Sequence, residues 1–179
     1  MMIDVAVLDW MVSIREPELT TAVTVLTHTG GGIATSLIAT VTTLLLVRAD
    51  RLRDAVFVAG AVLTGWPVMS LLKNLFGRVR PPEPERLVVL PTESFPSGHA
   101  MTSAVLATVL VAVVMRTWPR GDGRRTVATA ALATYTVAIG LSRVYLAAHW
   151  FTDVVAGWIF GITWALLWVW LITRVRIRR

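Results

Sequence analysis

Three stretches of the chain carry side chains able to bind and cleave an oxyanion. The first is Lys73-Asn-Leu-Phe-Gly-Arg78-Val-Arg80-Pro81, the second Pro96-Ser97-Gly98-His99, and the third runs from Ser142-Arg143 through His149 to Asp153. Lys73, Arg80 and Arg143 supply about three positive charges, suited to a phosphate dianion, and the arginines add paired N–H donors. Ser97 sits where a helix N-cap belongs, and Gly98 lets the backbone approach closely. A helix opening there aims free amides and a partial positive charge at an anion. His149 and Asp153 are four apart, which on a helix puts them on one face about one turn apart. A carboxylate so placed fixes the imidazole tautomer and leaves the other nitrogen free to attack. His99, from another helix start, then protonates a leaving oxygen. A metal held by His99, His149 and Asp153 is disfavoured, because the surrounding cations would repel it.

These stretches must be positioned by membrane helices. Hydrophobic residues make up 55% of the 179 and charged residues 16%, against roughly 25% charged in an ordinary soluble domain. The mean hydropathy of +0.68 agrees, and disorder is excluded because it needs the opposite balance. With no cysteine there is no disulfide framework, thiolate metal site or cysteine nucleophile. Five apolar runs, approximately Ile33–Val47, Ala55–Leu72, Ala100–Met115, Thr126–Leu141 and Val154–Thr173, contain no charged residue and read as spanning helices. Trp66-Pro67 predicts a kink in the second of them. The predicted fold is all-α: an integral membrane bundle of about five spanning helices in a single domain, 1–179. Residues 1–30, interrupted at Arg15-Glu16-Pro17 and followed by Gly30-Gly31-Gly32, read as interfacial helices lying along the membrane. Residues 31–173 form the spanning bundle, and 174–179 a basic cytoplasmic tail.

The net charge of +6 says less than its distribution. Arginines gather at 48–53, 116–125 and 174–179, the pattern of cytoplasmic loop ends, so nucleic-acid binding is not expected. That orientation puts 1–30, 73–98 and 142–153 on the extracytoplasmic side, and all three chemical stretches with them. His28 has no obvious partner and reads as structural. Arg78 reads as a support or headgroup contact.

The same three stretches resemble the signature of the type-2 phosphatidic-acid phosphatase (lipid phosphate phosphatase) superfamily: K-x6-R-P, P-S-G-H and S-R-x5-H-x3-D. Every specified position is filled, in order, over residues 73–153. The resemblance implies that His149 is the nucleophile and forms a phosphohistidine, with Asp153 orienting it. It implies that His99 is the acid and then the base, and that Lys73, Arg80, Ser97, Gly98 and Arg143 hold the phosphoryl oxygens, with no metal and no cofactor. The expected substrate is a lipid phosphate or diphosphate of the polyprenyl diphosphate, phosphatidylglycerophosphate or phosphatidate type, met at the outer leaflet of the plasma membrane among membrane lipids. Compact members of that family usually have six spanning helices. Here residues 1–30 serve from the surface, or the true start lies upstream of Met1. Two alternatives stand beside an esterase. A non-catalytic lipid-phosphate binding or transport protein would keep the cations without needing His149, and a vanadate-dependent haloperoxidase-like enzyme would share the anion site.

Overall fold

The computed structural model describes residues 2–174; the tail beyond Arg174, with Arg176, Arg178 and Arg179, lies outside the described residues. Seven α-helices follow one another: α1 (Met2–Ser13), α2 (Pro17–Thr29), α3 (Gly32–Arg48), α4 (Leu52–Phe76), α5 (Gly98–Thr117), α6 (Gly123–Tyr145) and α7 (Phe151–Arg174). No strand occurs among the described residues. Helices α4, α5, α6 and α7 are each long and apolar enough to cross a bilayer, while α2 and α3 qualify only as a pair bent by 49°. By length and composition, a fifth crossing is counted only when α2 and α3 are taken together as one bent span. Gly30 and Gly31 sit at the bend, where a Cβ on Gly30 would fall 2.3 Å from the Ile139 side chain. The α1–α2 break falls at Arg15-Glu16, with Pro17 opening α2, the position its fixed φ favours. Helix α4 continues through Pro67 as one 25-residue helix.

Helix α5 is the centre of the bundle, packed against α3, α4, α6 and α7. Between lipid-facing helices the hydrophobic effect gives little net drive, so close approach and hydrogen bonds decide packing. Gly157 and Gly161, four apart on α7, face α5. A Cβ on Gly157 would lie 2.7 Å from the Ser97 carbonyl, and one on Gly161 would lie 2.5 Å from the Met101 carbonyl. Three α7 indoles bond across to neighbours: Trp158 to the Thr136 carbonyl, Trp164 to the Ala61 carbonyl and Trp168 to Thr64 Oγ1. Trp170 is exposed. Among the threonines, Thr40 spends its hydroxyl on its own helix, whereas Thr64, Thr102 and Thr27 also bond across to neighbours. Phe57, Val58, Val105, Leu106, Val109 and Ala165 fill the core between α4, α5 and α7. A second cluster at the other end joins Met11 of α1 to Ala100, Val144, Leu146 and Val154. That cluster lies beneath the chemical residues.

Candidate active site

Each chemical stretch lies where one helix ends or the next begins. Lys73 stands in the last turn of α4, which Gly77 closes at φ +55° with its amide on the Lys73 carbonyl. That left-handed position favours glycine, and it turns Arg78 and Arg80 back over the helix end. Ser97 is the N-cap of α5, its hydroxyl accepting from the Ala100 amide at 3.5 Å, and its own amide donates to the Asp153 carbonyl at 3.0 Å. The starts of α5 and α7 are thereby tied together. At the end of α6, the Ala148 amide bonds the Arg143 carbonyl and the Ala147 amide that of Val144, with Ala147 at φ +50°. This is a Schellman closure built on a buried alanine instead of glycine, at a cost of roughly 1 kcal/mol.

That closure places His149 in the turn before α7, not on the helix with Asp153 as the four-residue spacing suggested. Trp150 becomes the residue before the helix, and Asp153 reaches back to accept its amide at 2.9 Å, half of a capping box. His149 Nδ1 lies 3.7 Å from Asp153 Oδ2, too far for a hydrogen bond. Its actual partner is the Ser94 carbonyl, at 2.7 Å. A carbonyl only accepts, so Nδ1 carries the proton and Nε2 the lone pair. Arg80 Nη1 lies 3.3 Å from Nε2, which agrees, because a guanidinium only donates. Asp153 acts one step behind: its Oδ2 accepts from Ser94 Oγ at 2.5 Å and its Oδ1 from Arg78 Nη1 at 2.5 Å.

Lys73, Arg80, Gly98, His99, Arg143 and His149 line one cavity of about 280 Å3, together with Gly32, Trp66, Met69 and Thr102. Ser97 and Asp153 are buried beside it and do not line it. The three cations are buried to 9% exposure or less, and among the described residues none has a carboxylate within ion-pair distance. Lys73 Nζ donates to the Glu93 carbonyl at 2.5 Å. Arg80 donates to the carbonyls of Thr92 and Ala148, and Arg143 Nη1 to Thr27 Oγ1 at 2.9 Å. Arg143 Nε is buried with no hydrogen-bond partner among the described residues. Burial, reinforced by Arg80, Arg143 and Lys73 and opposed by Asp153, pushes the His149 imidazole down to about 4, so the ring is neutral near pH 7. His99, in the first turn of α5, faces the α2–α3 bend: a Cβ on Gly31 would lie 3.4 Å from its Nε2. His28 is exposed at the end of α2. No group of three or more metal-ligating side chains converges among the described residues.

The PAP2 superfamily model matches residues 52–177, which contain all eight candidate site residues. The chain belongs to the PAP2 superfamily. PAP2 relatives include phosphatidylglycerophosphatase B of Bacillus subtilis (strain 168), 33% identical over 93 residues, covering 52% of this chain and 45% of that protein. Phosphatidylglycerophosphatase B of Escherichia coli (strain K12) is 38% identical over 84 residues, 46% of this chain and 30% of that protein. The matched segment thus spans less than half the length of these curated relatives. Among solved structures, a transmembrane PAP2-type phosphatidylglycerolphosphate phosphatase from Bacillus subtilis superposes with a TM-score of 0.87 at 26% identity, over 98% of this chain and 87% of that one. Aquifex aeolicus LpxE shares the PAP2 fold at a TM-score of 0.73 and 23% identity, over 92% of this chain and 93% of that one. This is a multi-pass membrane protein with an all-helical PAP2 bundle.

Proposed function

We propose that this protein is a metal-independent phosphatase that hydrolyses a lipid phosphate or diphosphate through a phosphohistidine, at the extracytoplasmic face of the plasma membrane. The observation that carries the reading is the cavity itself. Three buried cations without a carboxylate partner surround an imidazole whose Nε2 holds a lone pair. Buried charge left unpaired is costly, and a phosphate dianion offsets it. Phosphoryl transfer asks a protein mainly for such charge stabilisation and positioning.

In the first step His149 Nε2 attacks phosphorus and the bond from phosphorus to the lipid oxygen breaks, His99 giving its proton to that oxygen. In the second, His99 takes a proton from water as the water oxygen attacks phosphorus. The P–N bond then breaks and inorganic phosphate leaves. Lys73, Arg80 and Arg143 hold the phosphoryl oxygens. Ser97 and Gly98 contribute by starting α5 so that its first-turn amides, which have no intrahelical acceptor, face the anion. Ser94 and Asp153 set the His149 tautomer.

Substrate class follows from the surroundings. Trp66 and Met69 of the membrane-crossing α4, with Leu90 of the α4–α5 loop, line the same cavity, which suits a phosphate attached to an apolar tail. The two phosphatidylglycerophosphatase relatives favour a phosphatidylglycerophosphate-type substrate over a polyprenyl diphosphate or phosphatidate. The arginine-rich opposite end of the bundle supports the extracytoplasmic placement. Purified protein in mixed micelles should release phosphate from one of these lipids in the presence of a chelator. His149→Ala should abolish release while the variant stays folded. Undiminished turnover by that variant would sink the assigned nucleophile, and binding without turnover by the unaltered protein would favour a transport or carrier role.

A further inference from the structure

The N-terminal helix is wired to the imidazole support by a chain of charged groups, buried at Asp4 and Asp153 and half-buried at Arg78. Asp4 of α1 is 2% exposed although its helix neighbours Met2, Ile3, Val5 and Trp10 are open to the surroundings. Its carboxylate accepts the Thr152 amide and hydroxyl, each at 2.9 Å, so it caps the start of α7 from another helix. The same carboxylate pairs with Arg78 Nη2 at 2.8 Å. Arg78 Nη1 then donates to Asp153 Oδ1 at 2.5 Å and to Thr152 Oγ1 at 2.7 Å, and its guanidinium lies 5.7 Å from the centre of the Trp150 ring. Burial alone would raise the Asp4 carboxyl, but the Thr152 amide and the Arg78 guanidinium outweigh it and hold it below its ordinary value. Arg15, just beyond α1, adds a second tie by donating to the Tyr145 carbonyl at 2.6 Å.

Asp153 makes no direct hydrogen bond to His149. Its Oδ2 is committed to Ser94 Oγ and the Trp150 amide, and its Oδ1 to Arg78. The imidazole is aimed by the Ser94 carbonyl, so its alignment depends on where Asp153 pins Ser94. Building on the proposed phosphatase reading, we propose that Asp4 and Arg78 are positioning residues for the reaction: α1, through Asp4–Arg78–Asp153–Ser94, holds the His149 imidazole in line with the substrate phosphorus. Neither residue lines the cavity, so the effect passes through Asp153 and falls on turnover more than on substrate affinity.

The test compares Asp4→Asn, Arg78→Gln, Arg78→Lys and the Asp4→Asn/Arg78→Gln double variant in mixed micelles, alongside the 15N spectrum of the His149 ring. Arg78→Gln should lower kcat by about 10- to 100-fold, since small misplacements are costly near the reacting atoms, with KM within about twofold. Asp4→Asn should cost less, Arg78→Lys should recover part of the loss, and the double variant should fall no further than Arg78→Gln, as members of one chain do. The Nδ1 signal should shift in Arg78→Gln, reporting a weakened bond to Ser94. An unchanged kcat would overturn the proposal, as would losses that track the unfolded fraction while the folded protein keeps its His149 signals. Absence of phosphate release by the unaltered protein would defeat the functional reading instead, and the ring spectra would then decide the positioning chain.

Discussion

The two ends of α4 use the same kind of side chain in opposite ways. Near its start, Arg51 and Arg116 converge on Asp54 at 2.7 and 2.6 Å, Arg51 also donates to Thr117 Oγ1, and Arg116 lies over the Phe57 ring. That end clamps α4 to the finish of α5. Nineteen residues on, about 28 Å along the helix, Lys73 joins Arg80 and Arg143, with carbonyls, two threonine hydroxyls and the His149 ring for partners and no carboxylate. Charge at the first end is balanced inside the protein. At the second no carboxylate balances it, and under the proposed function the substrate phosphate does. Arg78 shows that the contrast concerns partners and not location: it sits between the site cations in sequence, yet Asp4 and Asp153 take it up completely.

The sharpest way to break this comparison is kinetic. Arg143→Ala should lower kcat/KM for the lipid substrate by about 10²- to 10³-fold, the usual cost of removing one preorganised donor. Arg116→Ala, at the other end of the bundle and already paired with Asp54, should leave kcat/KM within about twofold. Phosphate release measured over a range of substrate in mixed micelles separates the two. Comparable losses from both would mean that the cations without a carboxylate partner have no special part in turnover.

Much of the site was legible because its spacing follows from chain geometry. Lys73 and Arg80 must flank a helix end once Gly77 follows the last apolar turn, and Ser97-Gly98 opens a helix by the ordinary rules of capping. The spans were legible as uncharged apolar runs, and even the α1–α2 break announced itself in Glu16-Pro17. What the sequence hid was contact between distant residues. Ser94 has no motif position and acts partly through its carbonyl, which no residue type reveals. Asp4 and Asp9 stand in the same apolar stretch, and only folding shows that Asp4 is buried on Arg78 while Asp9 is exposed. The His149–Asp153 spacing read as helical because the Schellman closure at Ala147 depends on a left-handed alanine, for which no glycine gives warning. The run at 33–47 is the least legible of the spans, because α3 reaches the length of a crossing only when joined to α2.

A second difference between the ends should appear in stability against pH. The folded His149 ring takes a proton only near 4, against 6.5 for the ordinary imidazole. Between those values the unfolded chain binds the proton and the folded one does not. Its contribution is therefore complete above about pH 6.5 and is lost as pH falls toward 4, by up to about 1.4 kcal/mol per pH unit. Chemical unfolding in detergent from pH 7 to 4.5 should show that slope, and His149→Asn should flatten it. Arg143→Ala should also reduce it, because Arg143 is one of the cations depressing the ring. Arg116→Ala should not, being well beyond a screening length of about 10 Å. An identical slope in all three variants would remove His149 as its source.

The smallest effect concerns the clamp itself, and its sign is the informative part. Arg51 and Arg116 keep side-chain exposures of 27% and 33%, so solvent screens their pairing with Asp54. Asp54→Asn should cost about 1 kcal/mol or less, and the cost should shrink as salt is raised. At the opposite end, Arg143→Met removes a buried cation that no carboxylate balances, and replacing buried charge by an apolar chain of similar volume is often neutral or stabilising. Thermal unfolding of the two variants at low and high salt should thus give a small, salt-dependent loss for one and no loss or a gain for the other, even though the second lacks the cation whose removal should cost the most in turnover. If Arg143→Met is instead the more destabilised, its hydrogen bond to Thr27 holds α2 against α6 strongly enough to make it a structural arginine, and the distinction between the two ends fails.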